Sequence, residues 1–194
     1  MRKLILVRAG ASAWDEQKRL QGIVSLPLCD AGKEALRPVA QEIEALSPDV
    51  LFSSGNESAG PTAEWLGTLC GLKPRKLVGL HEMDCGMWQG LREEEIRRRF
   101  GTAYREWRHD PGLLAPPQGE SLAEVWERVR AGLAELRRKN RGKVVVLVAA
   151  RIVSALIECA VRGVEPRLFW QVLEQMPVML VHDFQPAPAA AERV

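Results

Sequence analysis

The sequence predicts an α/β protein, a three-layer α/β/α sandwich built on a mostly parallel central sheet. Two short apolar runs, Lys3 to Arg8 ("KLILVR") and Lys143 to Ala149 ("KVVVLVA"), are rich in Val, Ile and Leu, as are strands covered by helices on both faces. Between such runs lie segments whose apolar residues recur at helical spacing. Strands that alternate with helices pair in parallel through crossovers, which gives the layered architecture.

Each element follows in turn. Leu6 to Asp15, "LVRAGASAWD", reads as the end of the first strand running into a tight glycine turn, with Ala9 at its centre. Asp30 to Leu46 reads as a helix, Val50 to Ser54 as a strand, Glu57 to Cys70 as a helix, and Lys76 to Leu80 as a third strand. Glu93 to Trp107 is helical, and Asp110 to Gly119 ("DPGLLAPPQG") is a loop by composition. Ser121 with Glu124 three residues on forms a capping box. It opens a helix on which Leu122, Val125, Trp126, Val129, Leu133 and Leu136 share one face. Ile152 to Arg162 is the last expected helix and Val178 to Phe184 the last strand. The expected domain is residues 1–184, followed by a flexible tail over 185–194.

At 194 residues, 46% of them hydrophobic, the chain suits a single domain with a sizeable core. A net charge of +2 without a long single-sign block excludes a nucleic-acid groove. The basic runs Arg97 to Arg99 and Arg137 to Lys139 interleave with glutamates, as on solvated helix faces. Four apolar residues precede Arg8, too few for a signal-peptide core. The run Val144 to Ala150 is far shorter than the roughly 18 residues of a membrane span. The expectation is a soluble cytoplasmic protein. Cys29, Cys70, Cys85 and Cys159 are scattered without a C-x-x-C pair, which fits free thiols better than a disulfide or zinc framework. No metal and no cofactor is expected.

Ligands in open α/β sheets gather outside the carboxyl ends of the strands. Here those ends bring Arg8, Glu82 and Arg151 together, with Ser54 and Asp15 as further candidates. His81, beside Glu82, is the only histidine near them.

These residues resemble the histidine phosphatase superfamily, also called phosphoglycerate mutase-like, over nearly the whole chain. Where that family opens with L-V-R-H-G-E-T-x-W-N, this sequence has "LVRAGASAWD". "RLQGIVSLPLCDAG" (Arg19 to Gly32) follows R-F-Q-G-x-x-D-x-P-L-T-x-x-G, and "SSGNESAGPTA" (Ser53 to Ala63) follows S-S-x-L-x-R-A-x-Q-T-A. "EMDCGMWQGL" (Glu82 to Leu91) is close to the acid segment E-M-D-F-G-E-W-E-G-L. "GESLAEVWERV" (Gly119 to Val129) is similar to the G-G-E-S-L helix start, and "VLVAAR" (Val146 to Arg151) to V-x-S-H-G. Six blocks in order make the likeness specific.

The resemblance implies a reaction in which one histidine takes the phosphoryl group, two arginines and a second histidine hold its oxygens, and a glutamate protonates the leaving group. Such transfer is positioning and charge stabilisation around an in-line nucleophile. Carried over by position, Arg8 is the first arginine and Glu82 the acid. The nucleophile's place is taken by Ala9, the second arginine's by Ser58, the second histidine's by Ala150, an accessory glutamate's by Ala11 and a pocket asparagine's by Asp15. Losing a nucleophile alone costs around 10⁶-fold in a worked hydrolase case. One charge pair at about 4 Å is worth roughly 4 kcal/mol at an effective dielectric of 20, so phosphate should bind weakly, if at all.

The expectation is therefore a pseudoenzyme, a phosphatase scaffold with a binding or regulatory role. The alternative is a phosphoric ester hydrolase or mutase of altered mechanism that uses Glu82 and Arg151 to direct water at an ester. Arg8 either binds a residual anion or pairs with Asp15 or Glu82. Arg151 either enters the cleft or points to solvent, and Glu82 either acts as a base or serves as structure. Cys85 reads as a small core residue, and Trp107 as core or as a contact surface. Expected partners are a weakly held small anion and a protein, which is either a relative or a second copy of this chain.

Overall fold

The computed structural model describes residues 1–55, 57–77 and 79–184; the expected tail lies outside them. In chain order the elements are β1 (Lys3–Arg8), α1 (Ala13–Glu16), α2 (Asp30–Ala45), β2 (Val50–Ser53), α3 (Ala59–Leu69) and β3 (Pro74–Lys76). They continue with α4 (Glu93–His109), α5 (Leu122–Lys139), β4 (Val144–Ala149), α6 (Arg151–Arg162), α7 (Phe169–Gln175) and β5 (Met179–Asp183). The sheet order is β3-β2-β4-β1-β5. All neighbours are parallel except the edge strand β5, which runs antiparallel to β1.

Alternation along the strands divides the core in two. On one face, Leu4, Leu6, Val145 and Leu147 pack under α4, α5, α6 and α7. On the other, Ile5, Val7, Val146 and Val148 pack under α2 and α3, against Leu36, Ile43, Ala63 and Leu66. β1 and β4 lie at the centre and are buried on both faces, so they read as unbroken apolar runs. The capping box expected at Ser121 is present: its hydroxyl accepts from Glu124 N at 3.3 Å, while its own N–H donates to the Glu124 carboxylate at 2.8 Å. No helix among the described residues is long and apolar enough to cross a membrane.

One expectation needs correction, and one open choice is decided. The third strand is Pro74–Lys76 rather than Lys76 to Leu80. The chain turns away at Gly79, whose φ of +94° suits glycine, and Leu80 is fully buried beneath Gly132 of α5. The apolar run there serves packing instead of pairing. For Trp107, the core reading holds and the contact-surface reading does not. It is fully buried, with ring centroids 5.1 Å from both Trp88 and Trp170. That aromatic cluster anchors the charged helix α4 to α7.

Candidate functional site

The carboxyl ends of β1, β2 and β4 open onto a cleft of about 620 Å³. Arg8, Ala9, Asp15, Ser58, Glu82 and Arg151 all line it, so six residues from five separated segments meet there. Ser54 does not: it is buried, and among the described residues its hydroxyl has no partner.

The turn after β1 is held tightly. Ala9 N donates to Ala149 O at 2.8 Å and Gly10 N to Thr62 Oγ1 at 3.0 Å. A Cβ on Gly10 would sit 2.8 Å from both Leu28 and Leu36, so the turn needs glycine for close approach. Ser12 and Asp15 then form a capping box that starts α1, with Asp15 accepting from Ser12 N at 2.7 Å. This commits the Asp15 carboxylate locally.

Arg8 does not pair with Asp15 or Glu82, contrary to one of the two expectations for it. Its Nη1 donates to Met176 O at 3.3 Å. Among the described residues no carboxylate forms an ion pair with Arg8 or Arg151. Burial, and then the nearby Arg151 guanidinium, push Arg8 below its ordinary value, while Asp15 pulls the other way. Arg151 lines the cleft near Arg8 while remaining exposed, and Lys18, Arg19 and Arg108 are further cations in the lining.

Glu82 is buried, and its side chain is fully employed. Its carboxylate accepts from Met83 N at 2.7 Å, Ile152 N at 2.8 Å and Val153 N at 3.2 Å. Helix α6 has Ala150 as its N-cap and no side chain of its own to cap it. Glu82 supplies that cap from 68 residues upstream, reaching the second and third N–H groups of the helix. Burial raises its carboxyl to about 7, with backbone hydrogen bonds opposing the rise and Glu57 adding to it.

Sequence reasoning missed Glu57 and Arg128. Glu57 is buried, and its Oε1 accepts from Glu82 N at 3.0 Å. A Cβ on Gly55 would run into the Glu57 carboxylate, so that glycine makes room for it. Arg128 of α5 donates to the carbonyls of Gly79, His81 and Glu82 at 3.2, 2.6 and 3.1 Å, and to Glu120 at 2.7 Å. Glu120 also accepts from Asp84 N at 2.9 Å. An arginine and a glutamate eight apart, the latter just ahead of a helix cap, was the only trace of this clamp in the sequence.

Among the described residues no histidine lines the cleft. His81 is exposed, with Nδ1 3.0 Å from Glu82 O. His182 faces Glu158 at 2.7 Å on the far side of β5.

The family model "Histidine phosphatase superfamily (branch 1)" matches residues 4–182. The chain belongs to that superfamily. Phosphoserine phosphatase 1 of Hydrogenobacter thermophilus is 34% identical over 170 residues, which are 88% of this chain and 81% of that protein. A glucosyl-3-phosphoglycerate phosphatase of Mycobacterium tuberculosis is 33% identical over 70% of this chain and 60% of its own. Among solved structures, a mycobacterial glucosyl-3-phosphoglycerate phosphatase complexed with VO3 superposes with a TM-score of 0.78 at 29% identity, covering 87% and 86% of the two chains. Bacillus stearothermophilus YhfR superposes at 0.80 with 24% identity, over 87% and 83%, a likeness of fold. The phosphoglycerate mutase-like architecture is thereby established.

Proposed function

We propose that this superfamily member uses its cleft to hold the anionic group of a small phosphorylated ligand weakly, and that it passes no phosphoryl group to a protein side chain. The observation that carries this reading is the composition of the cleft lining: among the described residues Arg8 and Arg151 have no carboxylate partner, and no histidine is present. A methyl group at Ala9 offers no lone pair to phosphorus, so a phosphohistidine route through that position has no nucleophile. Arg8 and Arg151 still present two guanidinium groups suited to phosphate oxygens. The role is then binding or regulation on a phosphatase scaffold, with a protein partner or a second copy of this chain reading the bound state.

A second reading has its own support. The relatives carry phosphatase names, and Glu82, raised to about 7, has the protonation range of a general base. Glu82 would take a proton from water as the water oxygen adds to phosphorus and the ester oxygen leaves. Against this stands the engagement of both Glu82 oxygens with backbone N–H groups.

Calorimetry with inorganic phosphate, combined with a 4-nitrophenyl phosphate assay, separates the two. Binding reading: weak phosphate binding, roughly tenfold weaker still in Arg151→Gln, no acid-labile phosphoprotein and no turnover. Turnover within a hundredfold of an ordinary superfamily phosphatase, abolished by Glu82→Gln, would replace the first reading with the second.

A further inference from the structure

A second buried acid accompanies Glu82. Glu57, from the turn ahead of α3, is 3% exposed and Glu82 is 4% exposed, and Glu57 Oε1 accepts from Glu82 N at 3.0 Å. Among the described residues no lysine, arginine or histidine side chain forms an ion pair with either carboxylate. We infer that the cleft takes up its anion together with a proton, which the buried Glu57–Glu82 pair holds, so that anion binding weakens as pH rises. The inference rests on the anion-binding reading above and specifies the regulation of the same cleft.

Three observations support it. First, in two buried carboxylates without a cation, burial and like charge both disfavour the second ionisation. Burial, with Glu57 adding to it, raises the Glu82 carboxyl to about 7 against the pull of its backbone hydrogen bonds. Second, a proton fits without breaking a contact. Glu82 Oε1 accepts from Met83 N and Val153 N, whereas Oε2 accepts only from Ile152 N among the described residues. A protonated carboxyl oxygen keeps a lone pair for that N–H. Third, Glu82 lines the cleft with Arg8 and Arg151. An anion at those guanidinium groups adds negative charge near the pair and favours its protonated form. By linkage, the proton favours the anion equally.

The other charged groups nearby are committed. Arg128 holds three carbonyls and Glu120, Asp15 accepts from Ser12 N, and Asp84 accepts from Gly86 N at 2.8 Å. Across the cleft, Glu93 pairs with Arg97 and Glu174 with Arg108, and Lys18 and Arg19 add positive charge. The Cys85 thiol is pushed well above its ordinary value by burial and then by Glu82, Asp84 and Glu120, so it stays protonated. His81, exposed beside Glu82, is the competing proton acceptor.

Sulfate tests this, because unlike phosphate it keeps one charge state between about pH 5.5 and 8.5. Calorimetric titration should show its affinity falling at least ~10-fold across that range, which corresponds to a tenfold tighter hold on the proton in the bound state. At about pH 7, titrations in buffers of different ionisation enthalpy should show uptake of about half a proton per sulfate. Glu57→Gln, whose amide oxygen can still accept from Glu82 N, should move the fall to lower pH, and His81→Asn should leave it in place. Glu82→Gln should bind sulfate with no dependence on pH. Where a variant fails to fold, the proton count on the unaltered chain decides. Binding that is flat with pH and takes up no proton overturns the inference and leaves the anion reading standing. A fall that disappears in His81→Asn, or stays in place in Glu57→Gln, overturns it as well. If sulfate binds at no pH, the anion reading itself fails and this inference goes with it.

Discussion

The two halves of the cleft have been treated in opposite ways. Around Glu82, every group is tied down: Arg128 and Glu120 clamp the segment from outside, Glu57 holds its backbone, and α6 takes its carboxylate. Around Ala9, the backbone is held just as firmly by Ala149 and Thr62, but the side chains at Ala9, Ser58 and Ala150 are small and bring no charge. A carboxylate that caps a helix is costly to lose even without chemistry to perform, because its removal orphans buried N–H groups. The methyl groups of Ala9 and Ala150 cap nothing and pair with nothing. The difference teaches that the presence of Glu82 is accounted for by helix capping and is by itself weak testimony for catalysis.

The largest effect expected is on rate. Introducing Ala9→His, Ser58→Arg and Ala150→His together should raise phosphomonoester hydrolysis at least ~10³-fold over the unaltered chain, given that removal of a nucleophile costs around 10⁶-fold elsewhere. A steady-state assay decides it. If the unaltered chain already turns over within tenfold of the triple variant, the contrast between the halves disappears.

Next is the clamp. Arg128→Ala leaves three carbonyls and the half-buried Glu120 carboxylate without their donor, and should destabilise the fold by about 2–4 kcal/mol in urea denaturation. A loss below ~0.5 kcal/mol would mean the segment is held by packing alone.

The third effect depends on pH. The Glu82 carboxyl rises from 4.5 to about 7 on folding, so the native state holds this proton more tightly than the unfolded chain does. Its stabilising contribution is complete below pH 4.5 and is lost as pH climbs through 7. It amounts to about 3 kcal/mol over that window. Glu82→Gln lacks the titration, so the stability difference between the unaltered chain and this variant should fall by about that amount from pH 4.5 to pH 8. Other acids cancel in the comparison. A difference that stays flat with pH would show that the α6 N–H groups hold Glu82 ionised throughout.

The sequence by itself determined the layered α/β fold and the convergence of Arg8, Asp15, Glu82 and Arg151; Ser54, expected with them, is buried outside the cleft lining, and Ser58 was placed by the family resemblance. The fold and that convergence are written in local signals: β1 and β4 are unbroken apolar runs, and residues at strand ends must share one crevice. Element ends were less legible. Leu80 reads as strand by composition, but it is buried under Gly132. Trp107 sits on a charged helix and is still enclosed by Trp88 and Trp170. Only the tertiary structure decided what the shared residues do. Arg8 could have paired with Asp15, but the Asp15 carboxylate turns to Ser12. Glu82 could have faced a substrate freely, but an uncapped helix lies within hydrogen-bond reach. The reason is physical: a charged side chain's partner is set by which opposite group, N–H or carbonyl comes within about 3 Å of it, and chain folding between distant segments fixes that distance.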